Sequence, residues 1–220
     1  GFDLRPPDIN LSHVGFTVVF DKGEKQDPSH GHIRFGLSAV KGVGEKAILG
    51  IIKARDEGGP FKSLYDFCER VPPGVVNRAV IEALIKCGAF DTVHGLEKRS
   101  AMVAAIEDAL KRGAQDAALR TSEDFLFGAV VEKETKTNAK KVEPSLPDVP
   151  PWAPVDLLAF EKSVLGFYVS SHPLNDHRDS LARFGNTTIA DIQKLAGGVE
   201  VVVGGMLTRV KTVITKNGRS

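Results

Sequence analysis

Residues 37–47 read Leu37-Ser38-Ala39-Val40-Lys41-Gly42-Val43-Gly44-Glu45-Lys46-Ala47. Within them, one glycine stands on each side of the apolar Val43, just before a helical pattern. Glycine lets the backbone turn tightly, and Val43 can anchor that turn in a core. Such a turn leaves main-chain amides unpaired, with the positive end of the following helix behind them. The stretch therefore predicts an anion site, for which a phosphate is the natural occupant.

Two lysines flank this turn, Lys41 and Lys46. Together with the apolar residues before the first glycine and at the start of the next helix, they form the pattern of a helix-hairpin-helix DNA-binding motif. Such a contact positions a nucleic-acid backbone without reading its sequence. The alternative is a helix-loop-helix corner whose glycines only permit close packing. We expect a phosphate contact, made by Lys41, Gly42, Val43, Gly44 and Lys46.

The residues from Val75 to Asp91 resemble a second half of the same unit. Arg78 and Lys86 are therefore predicted as phosphate contacts of second rank. The alternative for each is an ordinary solvated charge on a helix.

Helical periodicity continues outward from the turn, from Leu37 to about Ala118. Apolar residues recur at helical spacing over 45–55, 63–68, 75–87 and 97–110, and an extension of the last helix to Leu119 is the longer alternative. Ser63, followed three residues later by Asp66, predicts a capped helix start. Four consecutive helices predict one shared core.

Extended segments lie on both sides of the helices. Residues 1–36 predict an antiparallel β-hairpin with a long loop. Residues 121–155 are polar and Pro-rich and predict a linker, and short helices are expected within 156–198. Alternation over 199–214 before Asn217-Gly218 predicts an incomplete sheet. Its basic residues suit a groove for single-stranded DNA, although lysine also protects strand edges; they are Arg209, Lys211 and Lys216.

Composition excludes several other classes of protein. The 220 residues carry 29 basic and 28 acidic side chains, so the net charge of +1 gives no global argument for nucleic-acid binding. The only cysteines, Cys68 and Cys87, form no C-x-x-C pair, and the histidines lack a third ligand, so we predict no metal site. No acid–base pair is recognisable, so no catalytic residue is predicted. No apolar run reaches the roughly 18 residues of a membrane span, and we expect a cytosolic protein without a membrane partner.

The order of the segments resembles the C-terminal part of the bacterial replicative DNA polymerase III alpha subunits. The stretch Arg5-Pro6-Pro7-Asp8-Ile9-Asn10 is similar to one block of that family, residues 35–47 (FGLSAVKGVGEKA) to its helix-hairpin-helix, and residues 84–91 (LIKCGAFD) to the helix end that follows. Residues 160–174 (FEKSVLGFYVSSHPL) resemble a block leading to an oligonucleotide-binding (OB) barrel, whose first strands would be 199–218. The similarity covers nearly the whole chain apart from the Pro-rich linker.

The resemblance implies that the parent protein is a DNA-directed DNA polymerase, a nucleotidyltransferase. Its two magnesium ions would be held by palm-domain carboxylates that lie outside this segment, so no cofactor is expected here. The segment is expected to bind duplex DNA behind the active site and to work beside other replicase subunits, in the cytoplasm with the nucleoid. Because the chain begins at Gly1 and stops inside a predicted strand pair, we expect a piece of a longer protein.

The family also uses a short peptide to hold the ring-shaped sliding clamp. Residues 123–127, Glu123-Asp124-Phe125-Leu126-Phe127, resemble that peptide, in which a Gln, two variable residues and an apolar-aromatic pair are expected. Leu126 and Phe127 would anchor in a hydrophobic groove on the clamp. Glu123 stands where the Gln is expected and weakens the polar contact. The alternative is that Phe125 and Phe127 fold back on the helices.

The sequence thus predicts a mainly helical α+β fold. Its expected parts are the β-hairpin end of a fingers domain (1–36), a helix-hairpin-helix domain that binds DNA and the clamp (37–120), the clamp peptide and flexible linker (121–155), short helices (156–198) and a truncated OB-fold start (199–220). Two alternatives stay open. One is a non-enzymatic helix-hairpin-helix adaptor, and the other is an error-prone paralogue of the same polymerase, for which a degraded clamp peptide is expected.

Overall fold

A computed structural model describes residues 4–21, 23, 27, 31–127 and 144–207, with the backbone alone for 120–127. The chain divides into two compact units, Gly1–Ser170 and Ser171–Ser220. The first unit contains the predicted turn and most of the helices. The mainly helical α+β class predicted from the sequence is confirmed.

A three-stranded sheet lies at the start of the first unit. Its strands are β1 (Leu4–Arg5), β2 (Thr17–Val19) and β3 (His32–Arg34), in the order β1-β3-β2. The predicted antiparallel hairpin is confirmed, because Val18 of β2 pairs with Ile33 of β3. The parallel strand β1, in which Leu4 pairs with Ile33, was not predicted, because two residues are too few for a periodic signal.

The segment between β1 and β2 docks on the helices. Asp8 is buried and accepts hydrogen bonds from the amides of Asn10 and Leu11 and from the Thr92 hydroxyl. The Asn10 side chain exchanges two hydrogen bonds with the backbone of Phe61, at 2.9 and 2.7 Å. The Asp-Ile-Asn stretch therefore belongs to the helical core, although it lies within the 1–36 segment assigned to the sheet.

Four helices and a shorter one follow: α1 (Glu45–Gly58), α2 (Leu64–Arg70), α3 (Arg78–Lys86), α4 (Asp91–His94) and α5 (Arg99–Phe127). The predicted cap of α2 is confirmed, because the Ser63 hydroxyl accepts from the Asp66 amide at 3.0 Å. α3 is capped in the same way by Asn77, whose side chain accepts from the Val80 amide at 3.0 Å.

These helices share one core, as predicted. Three rings run through it in edge-on contact, Phe61 to Phe67 at 5.1 Å and Phe67 to Phe90 at 5.2 Å. α5 lies along α2, and Gly113 permits the close approach, because a Cβ there would collide with the carbonyl of Cys68. α5 also runs well beyond the predicted end at Leu110 or Leu119.

Part of the predicted linker is packed on the core. In residues 144–153, the Pro150 carbonyl accepts from the Ser100 hydroxyl at 2.8 Å, and the Trp152 ring lies 4.6 Å from that of Phe160. This segment leads into α6 (Pro154–Leu165), whose Val164 and Leu165 are buried among the core residues of the preceding helices. The first unit thus extends to Ser170.

The second unit holds the short helices α7 (Arg178–Phe184) and α8 (Ile189–Ile192), within the range where short helices were predicted. Its residues 199–207 form no strand, but Asn186 binds them through the backbone of Glu200 and Val202. Residues 208–220 lie outside the described residues, and with them three predicted single-strand contacts, Arg209, Lys211 and Lys216. The OB-fold start stays a prediction. Over the residues that were searched, no helix has the length and apolarity to cross a membrane.

Candidate nucleic-acid interface

The predicted turn spans Val40 to Val43, between a single 3-10 turn (Leu37–Ala39) and α1. The Val43 amide donates to the Val40 carbonyl at 3.2 Å, and Gly42 has φ of +87°. These are the features of a type II turn, which requires glycine at its third position. The Val43 side chain is 7% exposed and joins the core, so it anchors the turn as expected.

Several amides at this turn have no acceptor among the described residues. They belong to Gly42, Gly44, Glu45 and Lys46. Gly44 is the N-cap of α1 and, being glycine, supplies no side chain to bind the first helical amides. The Val43 amide is not one of the free donors, because it closes the turn. The prediction of free amides around Val43 is therefore corrected: in the described part of the structure the amides of Gly42, Gly44, Glu45 and Lys46 are free, and the Val43 amide is bound.

The glycines do not serve close packing here. No described atom lies within 4 Å of the position that a Cβ would take at Gly42 or at Gly44. Gly42 is explained by its positive φ, but Gly44 has φ of −79°, which any residue can adopt. Glycine is tolerated at an N-cap, but neither φ nor a neighbouring atom requires it at Gly44, whereas a ligand that approaches the backbone closely would.

The two predicted lysines are available beside these amides. Lys41 and Lys46 are exposed, and neither forms an ion pair with a described residue. The Lys41 amide is occupied, because it donates to the Val164 carbonyl at the end of α6 at 2.9 Å. Lys41 thus contributes its ammonium group alone, while Glu45 places one exposed carboxylate in the first turn of the same helix.

A second turn of the same geometry joins α2 to α3. The Val75 amide donates to the Pro72 carbonyl at 3.1 Å, and Gly74 has φ of +79°. Sequence reasoning looked for the second half of the unit in residues 75–91 and missed this turn. The signal is the repeat of Gly42-Val43-Gly44-Glu45-Lys46-Ala47 as Gly74-Val75-Val76-Asn77-Arg78-Ala79.

The two residues predicted as contacts of second rank have other partners. Arg78 forms an ion pair with Glu107 at 2.7 Å, a hydrogen bond that raises the pKa of its guanidinium. Lys86 pairs with Glu82 at 2.6 Å and lies over the Phe160 ring at 4.8 Å. Because their charges are already matched, we leave both out of the proposed contact.

The remaining predicted site is the clamp peptide. Glu123, Phe125, Leu126 and Phe127 lie at the C-terminal end of α5, where the backbone is still helical. Side-chain contacts of these residues lie outside the described part of the structure.

Other chemistry finds no support in the residues that the structure describes. No three His, Cys, Asp or Glu side chains come together as a metal site among these described residues. Both thiols are buried, and burial raises the pKa of Cys68 and of Cys87 to about 12. Neither thiol is therefore a nucleophile near neutral pH.

The comparisons with known proteins agree with this geometry. A family model described as a helix-hairpin-helix motif matches residues 1–102. The chain is 35% identical to the DNA polymerase III subunit alpha of Pasteurella multocida, covering 99% of this chain and 18% of that protein. It is 37% identical to the proteins of the same name from Aquifex aeolicus and Bacillus subtilis, covering 99% and 100% of this chain and 16% and 18% of theirs.

The fold and the turn thus define a helix-hairpin-helix domain. The relatives carry the assignment further: at 35–37% identity, 99–100% of this chain is homologous to part of the DNA polymerase III alpha subunits. It spans less than a fifth of the length of the relatives it matches.

Proposed function

We propose that this segment binds duplex DNA through backbone phosphates at the turn before α1, as part of a DNA-directed DNA polymerase. The amides of Gly42, Gly44, Glu45 and Lys46 are the donors, and Lys41 and Lys46 supply the charge. The observation that carries the proposal is Gly44, a glycine that neither its φ nor its surroundings require. Bare amides at the start of a 14-residue helix favour an anion at that place.

The proposed test is a salt titration of binding to a labelled duplex of random sequence, followed by fluorescence anisotropy. The variant Lys41→Glu/Lys46→Glu should lose binding, and the slope of log affinity against log salt should fall by about 0.9 for each phosphate contact removed. The control Lys53→Glu/Lys111→Glu changes the net charge equally at exposed positions and should retain that slope. Unchanged binding by the first variant would reject the proposal.

A second proposed activity is tethering to the sliding clamp through residues 123–127. Support comes from the sequence of this peptide and from its position at the far end of α5. Most side chains of 111–119 on that helix are exposed, so the helix leaves the core before the peptide begins. Tethering raises the effective concentration of a partner, so a weak peptide contact suffices for long synthesis runs.

Clamp binding can be measured by mixing the chain with sliding clamp and recording complex formation by surface plasmon resonance. The variant Leu126→Ala/Phe127→Ala should abolish the complex, and Glu123→Gln should strengthen it. The control Val155→Ala/Ile189→Ala truncates two apolar side chains that are 78% and 75% exposed and should bind normally. Binding that survives the first variant would place the contact elsewhere.

The relatives bear differently on the two alternatives, a non-enzymatic adaptor and an error-prone paralogue. Similarity to alpha subunits over 99% of the chain favours the polymerase over a free-standing adaptor. The error-prone paralogue stays open, because Glu123 is the departure expected of a degraded clamp peptide. Association with the nucleoid and with other replicase subunits follows from the proposal and is part of it.

A further inference from the structure

A buried charged cluster lies beneath the end of α6, and the proposed phosphate contact does not use it directly. Arg99 is 2% exposed and forms two hydrogen bonds with Asp91, at 2.9 and 2.5 Å. It also reaches the Lys86 carbonyl at 3.2 Å and Glu161 at 3.4 Å. One guanidinium thus holds two carboxylates, of which Glu161 is fully buried.

Glu161 directs its other hydrogen bonds to the loop that follows α6. Its carboxylate accepts from the amides of Val169 and Ser170, both at 2.9 Å, and from the Ser170 hydroxyl at 2.5 Å. Between helix and loop, Gly166 takes φ of +89° and donates to the Lys162 carbonyl. We call residues 154–170 the brace, because this carboxylate ties the loop back to its own helix.

The end of the brace lies on the phosphate-binding turn. The Val164 carbonyl accepts from the Lys41 amide at 2.9 Å, and the Lys41 ammonium lies 3.9 Å from the position a Cβ would take on Gly166. Val164 shares the buried cluster with Val40 and Val43 on the two sides of that turn. The turn is thus supported by a segment more than 100 residues further along the chain.

We infer that Glu161 is a positioning residue for the phosphate contact: it holds the end of α6 so that the Val164 carbonyl fixes Lys41 beside the free amides. This inference rests on the proposed function and deepens it. It extends the DNA-binding site beyond residues 1–102, the range that the helix-hairpin-helix family model matches. Without the Glu161 side chain, the loop loses three donor–acceptor pairs, Arg99 loses one, and Lys41 is held less firmly beside the free amides.

The test uses the full 220-residue chain and the random-sequence duplex. Glu161→Gln should weaken binding by about tenfold, the loss expected for one charge-assisted contact. Ser170→Ala removes one of the Glu161 hydrogen bonds at an exposed residue and should weaken binding by about threefold. The control Ser163→Ala removes a hydroxyl of α6 that, among the described residues, binds only the Phe160 carbonyl, at 2.6 Å; this variant should bind DNA normally.

A double-mutant cycle separates positioning from a general structural role. Lys41→Gln removes the charge, and in that background Glu161→Gln and Ser170→Ala should cause no further loss. Lys41→Pro also removes the amide that donates to Val164. Pro73 occupies the same position in the second turn, and Val40 has ψ of 116°, which a following proline permits. Because Lys41→Pro lacks the ammonium as well as this amide, it should bind like Lys41→Gln, and Glu161→Gln should cause no further loss in that background either.

The outcomes distinguish failure of the proposed function from failure of the brace inference. If Lys41→Glu/Lys46→Glu binds like the parent chain, the proposed function fails. If that variant fails to bind but Glu161→Gln and Ser170→Ala bind normally while folded, or lose the same factor in the Lys41→Gln background, the brace inference is overturned. Thermal melts followed by circular dichroism establish folding, and if Glu161→Gln does not fold, Ser170→Ala in the parent chain and in the Lys41→Gln background decides.

Discussion

Replacing Gly44 with Asp should raise the stability of the fold and lower its affinity for duplex DNA. Gly44 is the uncapped N-cap of α1, with φ of −79° and ψ of 160°, and a Cβ there meets no described atom. An Asp side chain fits this backbone and can accept from the free amide of Lys46. The same kind of cap already exists at Asn77, whose φ of −124° and ψ of 174° lie in the same region.

The gain in stability has two parts. A better N-cap contributes a few tenths of a kcal/mol over glycine, and a negative charge at the start of a helix adds about 0.3–1 kcal/mol. For a chain of this length, the total corresponds to a rise in melting temperature of about 1–4 °C. Because the carboxylate occupies the donor proposed for phosphate and repels the phosphate itself, duplex affinity should fall at least about tenfold.

Two measurements check this prediction, a thermal melt and the anisotropy titration at low salt. The matched control is Asn77→Asp, which adds the same charge at the cap of α3, where the Val80 amide is already bound. It should leave duplex affinity nearly unchanged. A Gly44→Asp protein that melts higher and still binds like the parent chain would refute the assignment of these amides to phosphate.

Three further predictions follow from single features of the structure. Glu45→Gln removes the exposed carboxylate beside the turn and should raise duplex affinity about threefold at low salt, since two charges about 7 Å apart in water interact by about 0.6 kcal/mol; no gain in a titration would contradict the location of the phosphate. Gly113→Ala should destabilise the fold by about 1–3 kcal/mol in urea melts, because its Cβ collides with the Cys68 carbonyl, whereas Gly44→Ala should change stability by less than about 1 kcal/mol. Burial raises the pKa of both thiols from 9.0 to about 12, so above pH 9 the unfolded chain loses thiol protons that the folded chain keeps. The free energy of unfolding should then fall by up to about 2.7 kcal/mol per pH unit for the two thiols together, and Cys68→Ala/Cys87→Ala should show a shallower fall.

Much of the helical domain could be predicted because its signals are local. The glycine pattern at Gly42 and Gly44 and the cap at Ser63 each depend on residues only a few positions apart. Gly113, inside α5, has a role that the local pattern does not show. Within a helix, glycine is expected to weaken or end it, but here it lets α5 approach the backbone of α2 at Cys68. Propensity alone does not distinguish these two uses.

The contacts that escaped prediction join distant parts of the chain. Glu161 and Arg99 are 62 residues apart, and each is of a type that is normally exposed, so nothing in the local pattern marks them as a buried pair. A hydrogen bond from the Thr92 hydroxyl to the Asp8 carboxylate likewise joins residues 84 positions apart. Trp152 and Pro150 lie in the predicted linker, and only the positions of α6 and Ser100 explain where they pack.

The two turns of the repeat have diverged in the donors that they leave open. In the first, Gly44 leaves the opening amides of α1 without a side-chain cap, and Lys46 has no ion-pair partner among the described residues. In the second, Asn77 binds the Val80 amide, and Arg78, the counterpart of Lys46, is held by Glu107. The same backbone geometry therefore offers more unsatisfied donors and more free charge at the first turn.

The brace also bears on how far the proposed DNA-binding unit extends. A chain cut after α5 would keep both turns and the entire helix-hairpin-helix match, but it would lose Glu161 and the Val164 carbonyl. Arg99 would then keep Asp91 and lose its second carboxylate, and the core would lose Val164 and Leu165, which are 8% and 7% exposed. Removing buried apolar side chains and one partner of a buried ion pair are both costly, so the cut chain should be less stable and should hold Lys41 less firmly. The physical unit that presents the turn proposed to bind phosphate is therefore residues 1–170, and the motif alone is an incomplete part of it.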